Sequence, residues 1–570
     1  METKDISRRS FLGSAGLATA AAMACAAPLS AVASADEAAG EQVPSWLGTA
    51  PDIDPSKIVE TYDTDLVIAG AGNGGLAAAS FAADNGVDFM IFEANDINAS
   101  TKNWFAAVDT RLYTDMGVHV DRQRIMGEVA RYSAGSADQR LVKMFMDESN
   151  DMFEYVMTVL EAHGATCVTQ DFEMPLGMGG TPYYTPGWEH MSTTTEKDGL
   201  DRNSAFAANI EEKGGEIMYN HRLVKLVTDE TGAVTGAIFQ TGDDAYVQAN
   251  AKKAVLLATG GYVNNTAMLS ALSPITCQNV VMTTSEPKND GMGQKAAMWA
   301  GAVRDTVSAT MIFDRGFVEP GVSAGFDPES PADGAPIWPS SVQFNACSNP
   351  WLKVNIHGER FCNESCDYDH IAHAAAQQPT GTYYCVWDGD FAENVNRFNM
   401  LGCAGLTKIM LANFKNDDGT YDLDGFFDLP IQGMGDVLKA DTLEELADLM
   451  LFEGQDKENF LATVERYNEL FDKQEDEDFY KEPYRLSAIR KPPFYAAHTG
   501  GRLLTSLDGI RINADCQALN KDYEPIAGLY CCGDCSGSVF AGCYPDQLHG
   551  FACGRTMTEA LHVVKLVMEM

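Results

Sequence analysis

The feature that most constrains this chain is a glycine-rich turn close to its N-terminal end. An apolar segment over residues 65–69 predicts a buried strand, and the turn 70–75 fits the pattern G-x-G-x-x-G before an alanine-rich helix. A second apolar strand over 87–92 ends at Glu93, at the spacing of about 20 residues that a dinucleotide fingerprint requires. Glu93 can accept hydrogen bonds from a ribose diol. This unit predicts an α/β protein with a Rossmann-like dinucleotide-binding domain.

The residues of the turn have separate expected roles. Gly70 permits the tight turn, Gly72 lets the backbone approach a pyrophosphate, and Gly75 lets the helix pack closely on the strand. Asn73 and Gly74 open the helix, whose N-terminal N–H groups and positive dipole end attract phosphate. NAD and FAD both bind to such a unit, so the turn alone leaves the choice between them open.

Three later features favour FAD. A second buried strand runs through residues 253–258 into a turn at Gly260. Asp290 begins another apolar helix, and a strand near the C-terminus ends at Asp534. Because these segments lie far apart, the cofactor domain is expected to be assembled from both ends of the chain. The predicted organisation is a signal peptide over 1–35, a linker over 36–60, an FAD-binding domain over 61–275 and 480–570, and an inserted substrate domain over 276–479.

The first 35 residues read as a twin-arginine export signal. Arg8 and Arg9 precede an apolar run over 13–27, and a cleavage site of the A-x-A type follows at 33–35. The plain alternative is a chance arginine pair before an alanine-rich helix, and Cys25 could instead carry a lipid. We expect an exported protein, periplasmic or otherwise extracytoplasmic, that receives its cofactor before export.

Net charge argues against two classes of partner. The chain has 81 acidic and 40 basic residues, so its formal charge is −41. Such a surface repels nucleic-acid phosphates and anionic membranes. No apolar stretch after the signal is long enough to cross a bilayer.

The 14 cysteines leave two readings open. No Cys-x-x-Cys-His motif exists, so no c-type haem is expected. An iron–sulfur cluster, which needs about four thiolates, is one reading of the crowding of cysteines over 531–553. Burial as small apolar side chains is the other reading, and we favour it.

Together these motifs resemble the FAD-dependent fumarate reductase and 3-ketosteroid dehydrogenase superfamily. The resemblance rests on GAGNGG with Glu93, and on the segments LLATGGY, NDGMG, GERFCNES and GLYCCGDCSG. It implies a Rossmann-like FAD domain with an inserted α+β substrate (capping) domain and an active site between them at the flavin ring. Neither His nor Cys stands in the segment around Thr101 where some members attach the flavin, so FAD is expected to bind non-covalently, with Thr101 near it.

Departures from the fumarate reductase pattern bear on the substrate. Fumarate reductases carry an arginine after R-F-x-N-E that protonates substrate carbon, and a second arginine near the C-terminus that binds a substrate carboxylate. This chain has Tyr368 and Tyr544 at those two positions. Tyrosine cannot replace the bidentate binding of a carboxylate by arginine, which disfavours a small dicarboxylate. The ketosteroid dehydrogenase branch has tyrosines at both positions. That resemblance implies that Tyr368 exchanges a proton with substrate carbon and that Tyr544 donates to a carbonyl oxygen, with Tyr113 or Tyr132 as candidates for a third tyrosine.

The expected reaction is hydride transfer from flavin N5 to an electron-poor C=C bond conjugated to a carbonyl, in an enone, lactone or enoate. Because soluble NAD(P)H is not expected outside the cytoplasm, the electrons would come from a separate exported cytochrome or quinol-linked protein. Three alternatives stay open: a ketosteroid-type dehydrogenase running the reverse reaction, a disfavoured fumarate-type reductase, and a flavin-bearing binding protein without turnover.

Overall fold

The computed structural model describes residues 43–169, 187–284, 288–398, 400, 402–428, 437–545 and 548–570. The predicted signal peptide over 1–35 lies outside the described residues, as does the first part of the predicted linker. The chain divides into two compact units, residues 1–49 and residues 50–570. In the first, the described residues form a turn in which the backbone N–H groups of Leu47 and Gly48 donate to the carbonyl of Pro44.

The strands form three sheets within residues 50–570. In chain order they are β1 Ile58–Ala69, β2 Phe89–Phe92, β3 Trp104–Ala106, β4 Ala165–Thr169, β5 Glu189–Thr194, β6 Ile217–Met218, β7 Arg222–Thr228, β8 Val234–Gly242, β9 Ala245–Leu257, β10 Val280–Thr283, β11 Ala309–Phe317, β12 Leu352–Val354, β13 Tyr383–Trp387, β14 Leu438–Ala440, β15 Phe494–Ser506, β16 Gln517–Leu519, β17 Pro525–Cys531 and β18 Gly542–Cys543.

The α-helices lie between these strands and at the C-terminal end. They are α1 Asn73–Asp84, α2 Arg111–Thr114, α3 Arg122–Tyr132, α4 Gln139–Ala162, α5 Arg202–Glu212, α6 Thr266–Leu272, α7 Thr276–Asn279, α8 Met292–Trp299, α9 Tyr368–Ala375, α10 Phe391–Phe398, α11 Leu406–Ala412, α12 Leu423–Phe427, α13 Leu443–Leu449, α14 Gly454–Lys473 and α15 Phe551–Glu569. Among the described residues, no helix combines the length and the apolar character that a bilayer crossing needs.

The first sheet carries the predicted dinucleotide unit. Its parallel part has the order β17, β9, β1, β2, β6, so β1 lies in the middle. The C-terminal strand β17 pairs with β9, placing Leu529 opposite Val255, so both ends of the chain contribute strands to this sheet. The helix α1 follows β1 and ends at Asn85, with Gly86 at φ +67° in the left-handed conformation that commonly terminates helices.

Strand β1 is longer than the sequence analysis indicated. It begins at Ile58, inside the predicted linker, and only its end is an apolar buried run. The residues of its first half are exposed or only partly buried, and the strand pairs in parallel with β9, which is one residue longer. A half-exposed strand end lacks the continuous apolar run by which a buried parallel strand is recognised.

The second sheet is built around β15. This strand pairs with β10, β11, β13 and β14, and the sheet continues to β12 and β18. Because β15 covers Phe494–Ser506, the second sheet contains chain beyond the predicted boundary at residue 480, and the chain re-enters the first sheet at β16. The domain boundaries remain predictions. The fold class is confirmed: a Rossmann-like α/β part is interrupted by an α+β part.

Candidate functional site

An open cleft lies at the carboxyl ends of β1, β2 and β9. It contains about 1080 Å³ of space free of protein atoms, including solvent that is open to the outside. Ligands of open parallel sheets bind at such strand ends. The predicted cofactor residues that line the cleft are Gly70, Gly72, Asn73, Gly74, Glu93, Gly260, Asp290 and Asp534. The fold therefore collects segments from both ends of the chain around one space, with the N-terminus of α1 at its edge.

The glycines of the turn differ in the space around them. A Cβ atom on Gly70 would lie 2.5 Å from the carbonyl oxygen of Ala258, and φ at Gly70 is +103°. A Cβ atom on Gly75 would lie 1.8 Å from the carbonyl oxygen of Gly70, which explains why Gly75 supports the turn without lining the cleft. At Gly72 the nearest atom would be Ala99 Cβ at 4.0 Å. Gly72 therefore leaves open space where a ligand can approach the backbone.

Glu93 is buried and bound to the turn. Its Oε2 accepts a hydrogen bond from the backbone N–H of Ala71 at 2.7 Å. Its Oε1 accepts from the backbone N–H and the side-chain amide of Asn95, at 2.9 and 2.8 Å. A carboxylate has about four lone-pair sites, two on each oxygen, so Oε2 keeps one site that can accept from a ribose hydroxyl. The orientation of this acid is set before any ligand binds.

Basic side chains that the sequence analysis did not single out also line the cleft. They are Lys102, Arg222 and Lys288. Arg222 Nη2 donates to Asp290 Oδ2 at 2.6 Å, which orients that predicted acid. These cations suit the negative charge of a pyrophosphate. They belong to no motif, and tertiary folding alone brings the three segments together.

The predicted cofactor residue Thr101 has its hydrogen-bond partners at the start of α5. It does not line the cleft, although its neighbours Ser100 and Lys102 do. Its hydroxyl donates to the carboxylate of Asp201 and accepts from the backbone N–H of Asn203 at 2.9 Å. The first turn of α5 therefore engages this side chain.

The cleft fits FAD. The open backbone at Gly72, the N–H groups at the start of α1, the fixed carboxylate of Glu93 and the lining cations match a dinucleotide with a pyrophosphate. The described residues contain no group of three or more His, Cys, Asp or Glu side chains able to hold a metal ion, so they do not support an iron–sulfur cluster. Cysteines 531, 532 and 535 are buried free thiols.

Tyr368 is the first residue of α9 and is 9% exposed. Its ring centroid lies 4.6 Å from that of Phe313 on β11. The guanidinium carbon of Arg315, from the same strand, lies 5.6 Å from the Tyr368 ring centroid. Tyr368 thus sits where α9 packs on the second sheet, outside the residues that line the cleft.

Tyr544 is buried in the segment that leads to α15. Its hydroxyl donates to the carbonyl of Leu548 at 3.0 Å and accepts from the backbone N–H of Ala552 at 3.4 Å. The hydroxyl that the resemblance assigns to a substrate carbonyl therefore already bonds to the backbone. Tyr544 does not line the cleft either.

Asp369 joins the two tyrosine segments. Its Oδ2 accepts from the backbone N–H of Tyr544 at 3.2 Å, and its Oδ1 accepts from the backbone N–H of Ile312 at 3.0 Å. Burial raises the pKa of Asp369 to about 7, while His373 acts in the opposite direction. The carboxyl group fixes α9 against β11 and the C-terminal segment. It was not singled out from the sequence.

Of the two candidates for a third tyrosine, Tyr132 lies next to this region. Its hydroxyl donates to Asp367 Oδ2 at 2.6 Å, one residue before Tyr368. The hydroxyl of Tyr113 donates instead to the backbone carbonyl of Glu189 at 2.6 Å. Tyr132 is therefore the candidate that the fold brings close to Tyr368.

Comparison with known sequences agrees with an FAD-binding cleft. The profile of the FAD binding domain family matches residues 65–547. A vinyl phenol reductase of Lactiplantibacillus plantarum is 24% identical, over 86% of this chain and 93% of the relative. A digoxin reductase of Eggerthella lenta is 25% identical, over 98% of this chain and 95% of the relative.

Two solved structures share the fold. An open conformation of a flavocytochrome c3 fumarate reductase matches with a TM-score of 0.64 and 19% identity, covering 93% of this chain and 82% of that one. A 3-ketosteroid Δ1-dehydrogenase from Sterolibacterium denitrificans matches with a TM-score of 0.65 and 17% identity, covering 89% of this chain and 99% of that one. The sequence motifs resemble fumarate reductases and 3-ketosteroid dehydrogenases, and one solved structure from each of these groups shares the fold of this chain.

Proposed function

This chain belongs to the FAD binding domain family, and on that premise we propose that it is an exported FAD-dependent reductase of electron-poor C=C bonds conjugated to a carbonyl. Enones, lactones and enoates are the substrate class. The observation that carries the proposal is the cleft at the start of α1, where Gly72 and Glu93 present an open backbone and a fixed acid. The reductase names of the vinyl phenol and digoxin relatives support the direction of the reaction.

When bound, FAD supplies two electrons as hydride to the β carbon of the substrate. The chain's own residues supply the proton for the α carbon. Tyr368 donates that proton through its hydroxyl, so one C–H bond forms at each carbon as the π bond breaks. Tyr368 then recovers a proton from water. The mostly buried setting of its ring, beside Phe313, limits the access of water to the reacting carbons.

In this proposal the Tyr544 hydroxyl donates a hydrogen bond to the substrate carbonyl oxygen and stabilises the negative charge that develops there. In the structure its hydroxyl bonds to Leu548, so this role requires the hydroxyl to exchange that acceptor for the substrate. The electron donor in this proposal is a separate exported cytochrome or quinol-linked protein, as in anaerobic respiration. Lys102, Arg222 and Lys288, which line the cleft, would hold the pyrophosphate of bound FAD.

The test is anaerobic. Purified holoprotein is reduced until the flavin bleaches, and cinnamate-type enoates, unsaturated lactones, steroid enones or fumarate are then added. Return of the oxidised flavin band with an unsaturated carbonyl compound, and not with fumarate, is expected. Reoxidation by fumarate alone would overturn the substrate class, and no reoxidation by any of them would overturn the reductase assignment.

Export is tested separately. An Arg8→Lys, Arg9→Lys double variant is expected to accumulate in the cytoplasm with FAD bound, whereas the unaltered chain leaves it. Equal export of both forms would remove the twin-arginine signal from the proposal.

A further inference from the structure

Arg315 is a buried arginine on β11, with 2% of its side chain exposed. The neighbouring acid on the strand, Asp314, makes its ion pair with Lys353, whose Nζ lies 3.6 Å from Asp314 Oδ2. Burial raises the pKa of Asp314 above its ordinary value, although the charge of Arg315 acts to lower that pKa.

The hydrogen bonds of Arg315 are incomplete. Its Nη1 donates to Asn345 Oδ1 at 3.4 Å. Within the described part of the chain, Nε and Nη2 have no hydrogen-bond partner, and no carboxylate lies within ion-pair distance. A guanidinium stays charged at any accessible pH, and an uncompensated buried charge is strongly unfavourable. The ring of Phe313, 4.2 Å from the guanidinium carbon, offsets only part of this cost.

The unpartnered atoms form one edge of the guanidinium. The N–H bonds of Nε and Nη2 run parallel, which is the geometry that binds both oxygens of a carboxylate. Arg315 therefore has a free bidentate edge, a full charge and no carboxylate within ion-pair distance among the described residues. Those three properties indicate an anionic ligand with two oxygens.

The position of Arg315 relative to Tyr368 specifies the ligand further. Both side chains contact Phe313, and the guanidinium carbon lies 5.6 Å from the Tyr368 ring centroid. In an α,β-unsaturated acid the α carbon is bonded directly to the carboxylate carbon. A proton donor for the α carbon must then stand next to the group that binds the carboxylate, as Tyr368 stands next to Arg315.

We propose that Arg315 binds the carboxylate of an α,β-unsaturated monocarboxylic acid through Nε and Nη2, and so selects enoates over neutral enones and lactones. This inference rests on the proposed function and narrows its substrate class. Bound to both oxygens, Arg315 would stabilise the negative charge that grows on the carboxylate when the C=C bond is reduced. Tyr368 then delivers its proton to the α carbon, and the saturated acid leaves.

The first experiment uses the unaltered holoprotein. Rates of anaerobic flavin reoxidation are compared for cinnamate and its neutral methyl ester, which share the C=C bond. Binding of the saturated acid 3-phenylpropionate and of its neutral amide is measured by calorimetry. A preference for the acid of at least about 100-fold in both measurements is expected. Equal or better reaction and binding of the neutral compounds would overturn the role of Arg315 while leaving the proposed function intact.

The second experiment uses variants of the holoprotein. Arg315→Met is expected to weaken 3-phenylpropionate binding by about 100-fold and to leave binding of the amide and the FAD content unchanged. Arg397→Met is the matched control, because its guanidinium is bound to the backbone carbonyls of Tyr484 and Leu486. That control is expected to keep the preference for the acid. Equal losses for acid and amide in Arg315→Met would contradict the inference.

If the Arg315→Met variant does not accumulate as folded protein, the same measurements are made on Arg315→Lys. Lysine keeps the charge but cannot make the two parallel hydrogen bonds, so a loss of acid binding of about 10-fold is expected. A different outcome would overturn the proposed function itself. The unaltered protein would then reduce neither cinnamate nor its ester, and no compound of the earlier panel.

Discussion

Oδ2 of Asp369, the residue after Tyr368, accepts a hydrogen bond from the backbone N–H of Tyr544 at 3.2 Å. This contact ties the start of α9 to the segment before α15, so the two tyrosines singled out from the sequence are held by one buried carboxyl group. The same group accepts from Ile312 on β11, the strand that carries Phe313 and Arg315. Asp369 is therefore a polar anchor that the three segments of the candidate substrate region share.

Tyr368→Phe tests the proton donor. The variant keeps the ring that packs on Phe313 and loses only the hydroxyl, so the fold and bound FAD should persist. Loss of a general acid lowers kcat by about 100- to 10,000-fold. Single-turnover flavin reoxidation by an enoate measures this step directly. Tyr384→Phe, which removes a buried hydroxyl bonded to the Met450 carbonyl, is the matched control and should react at the unaltered rate. A Tyr368→Phe variant as fast as this control would remove Tyr368 from the mechanism.

Tyr544→Phe separates two roles of one hydroxyl. Leu548 and Ala552 lose a hydrogen-bond partner in the variant, which costs about 1–3 kcal/mol of unfolding free energy. Thermal unfolding of the holoprotein measures that cost. The substrate role predicts, in addition, a large fall in kcat at a temperature where the variant is fully folded. A lower unfolding temperature with unchanged kcat would mean that Tyr544 serves the structure alone.

Gly72→Ala and Gly75→Ala form a matched pair at the turn. The methyl group at Gly75 meets the Gly70 carbonyl oxygen, so that variant should lose about 1–3 kcal/mol or more of stability. The methyl group at Gly72 enters open space and should leave the apoprotein stable. It occupies the approach of the pyrophosphate, however, and FAD affinity should fall about 10-fold or more, or about 1.4 kcal/mol. Flavin fluorescence titration and apoprotein melting distinguish the two effects, and identical behaviour of the variants would contradict the geometry.

Glu189 gives the protein a predictable pH dependence. Burial raises the pKa of this carboxyl from 4.5 to about 8. Between those values the unfolded chain is ionised while the folded protein keeps the proton. Unfolding therefore releases a proton, and stability falls as pH rises, by up to about 1.4 kcal/mol per unit.

Glu189→Gln should remove this slope. The difference in unfolding temperature between variant and unaltered protein is expected to grow from pH 5 to pH 8. The neighbouring His549, whose Nδ1 lies 3.7 Å from Glu189 Oε2, has its pKa lowered to about 4 by burial and so stays neutral over this range. Parallel pH profiles of the two proteins would show that Glu189 ionises freely in the folded state.

Several features of the site could be predicted from the sequence because they depend on local backbone geometry. The turn from Gly70 to Gly75 requires glycine wherever a Cβ atom would meet the backbone, so the spacing of the glycines in the sequence predicts the turn. The position of Glu93 follows from the length of one strand–helix–strand unit. By the same reasoning, β9 and β17 were found from their apolar runs, although the polar half of β1 was missed.

The sequence by itself determined the fold class and the dinucleotide turn, because periodicity and glycine placement are short-range properties. Only the tertiary structure decided which side chains surround the reaction. It placed Arg315 beside Tyr368 with no carboxylate at ion-pair distance among the described residues, gave the Tyr544 hydroxyl a backbone partner, and bonded Thr101 to the start of α5. The burial and partners of a side chain depend on which distant segments pack against it, and no short stretch of residues records that choice.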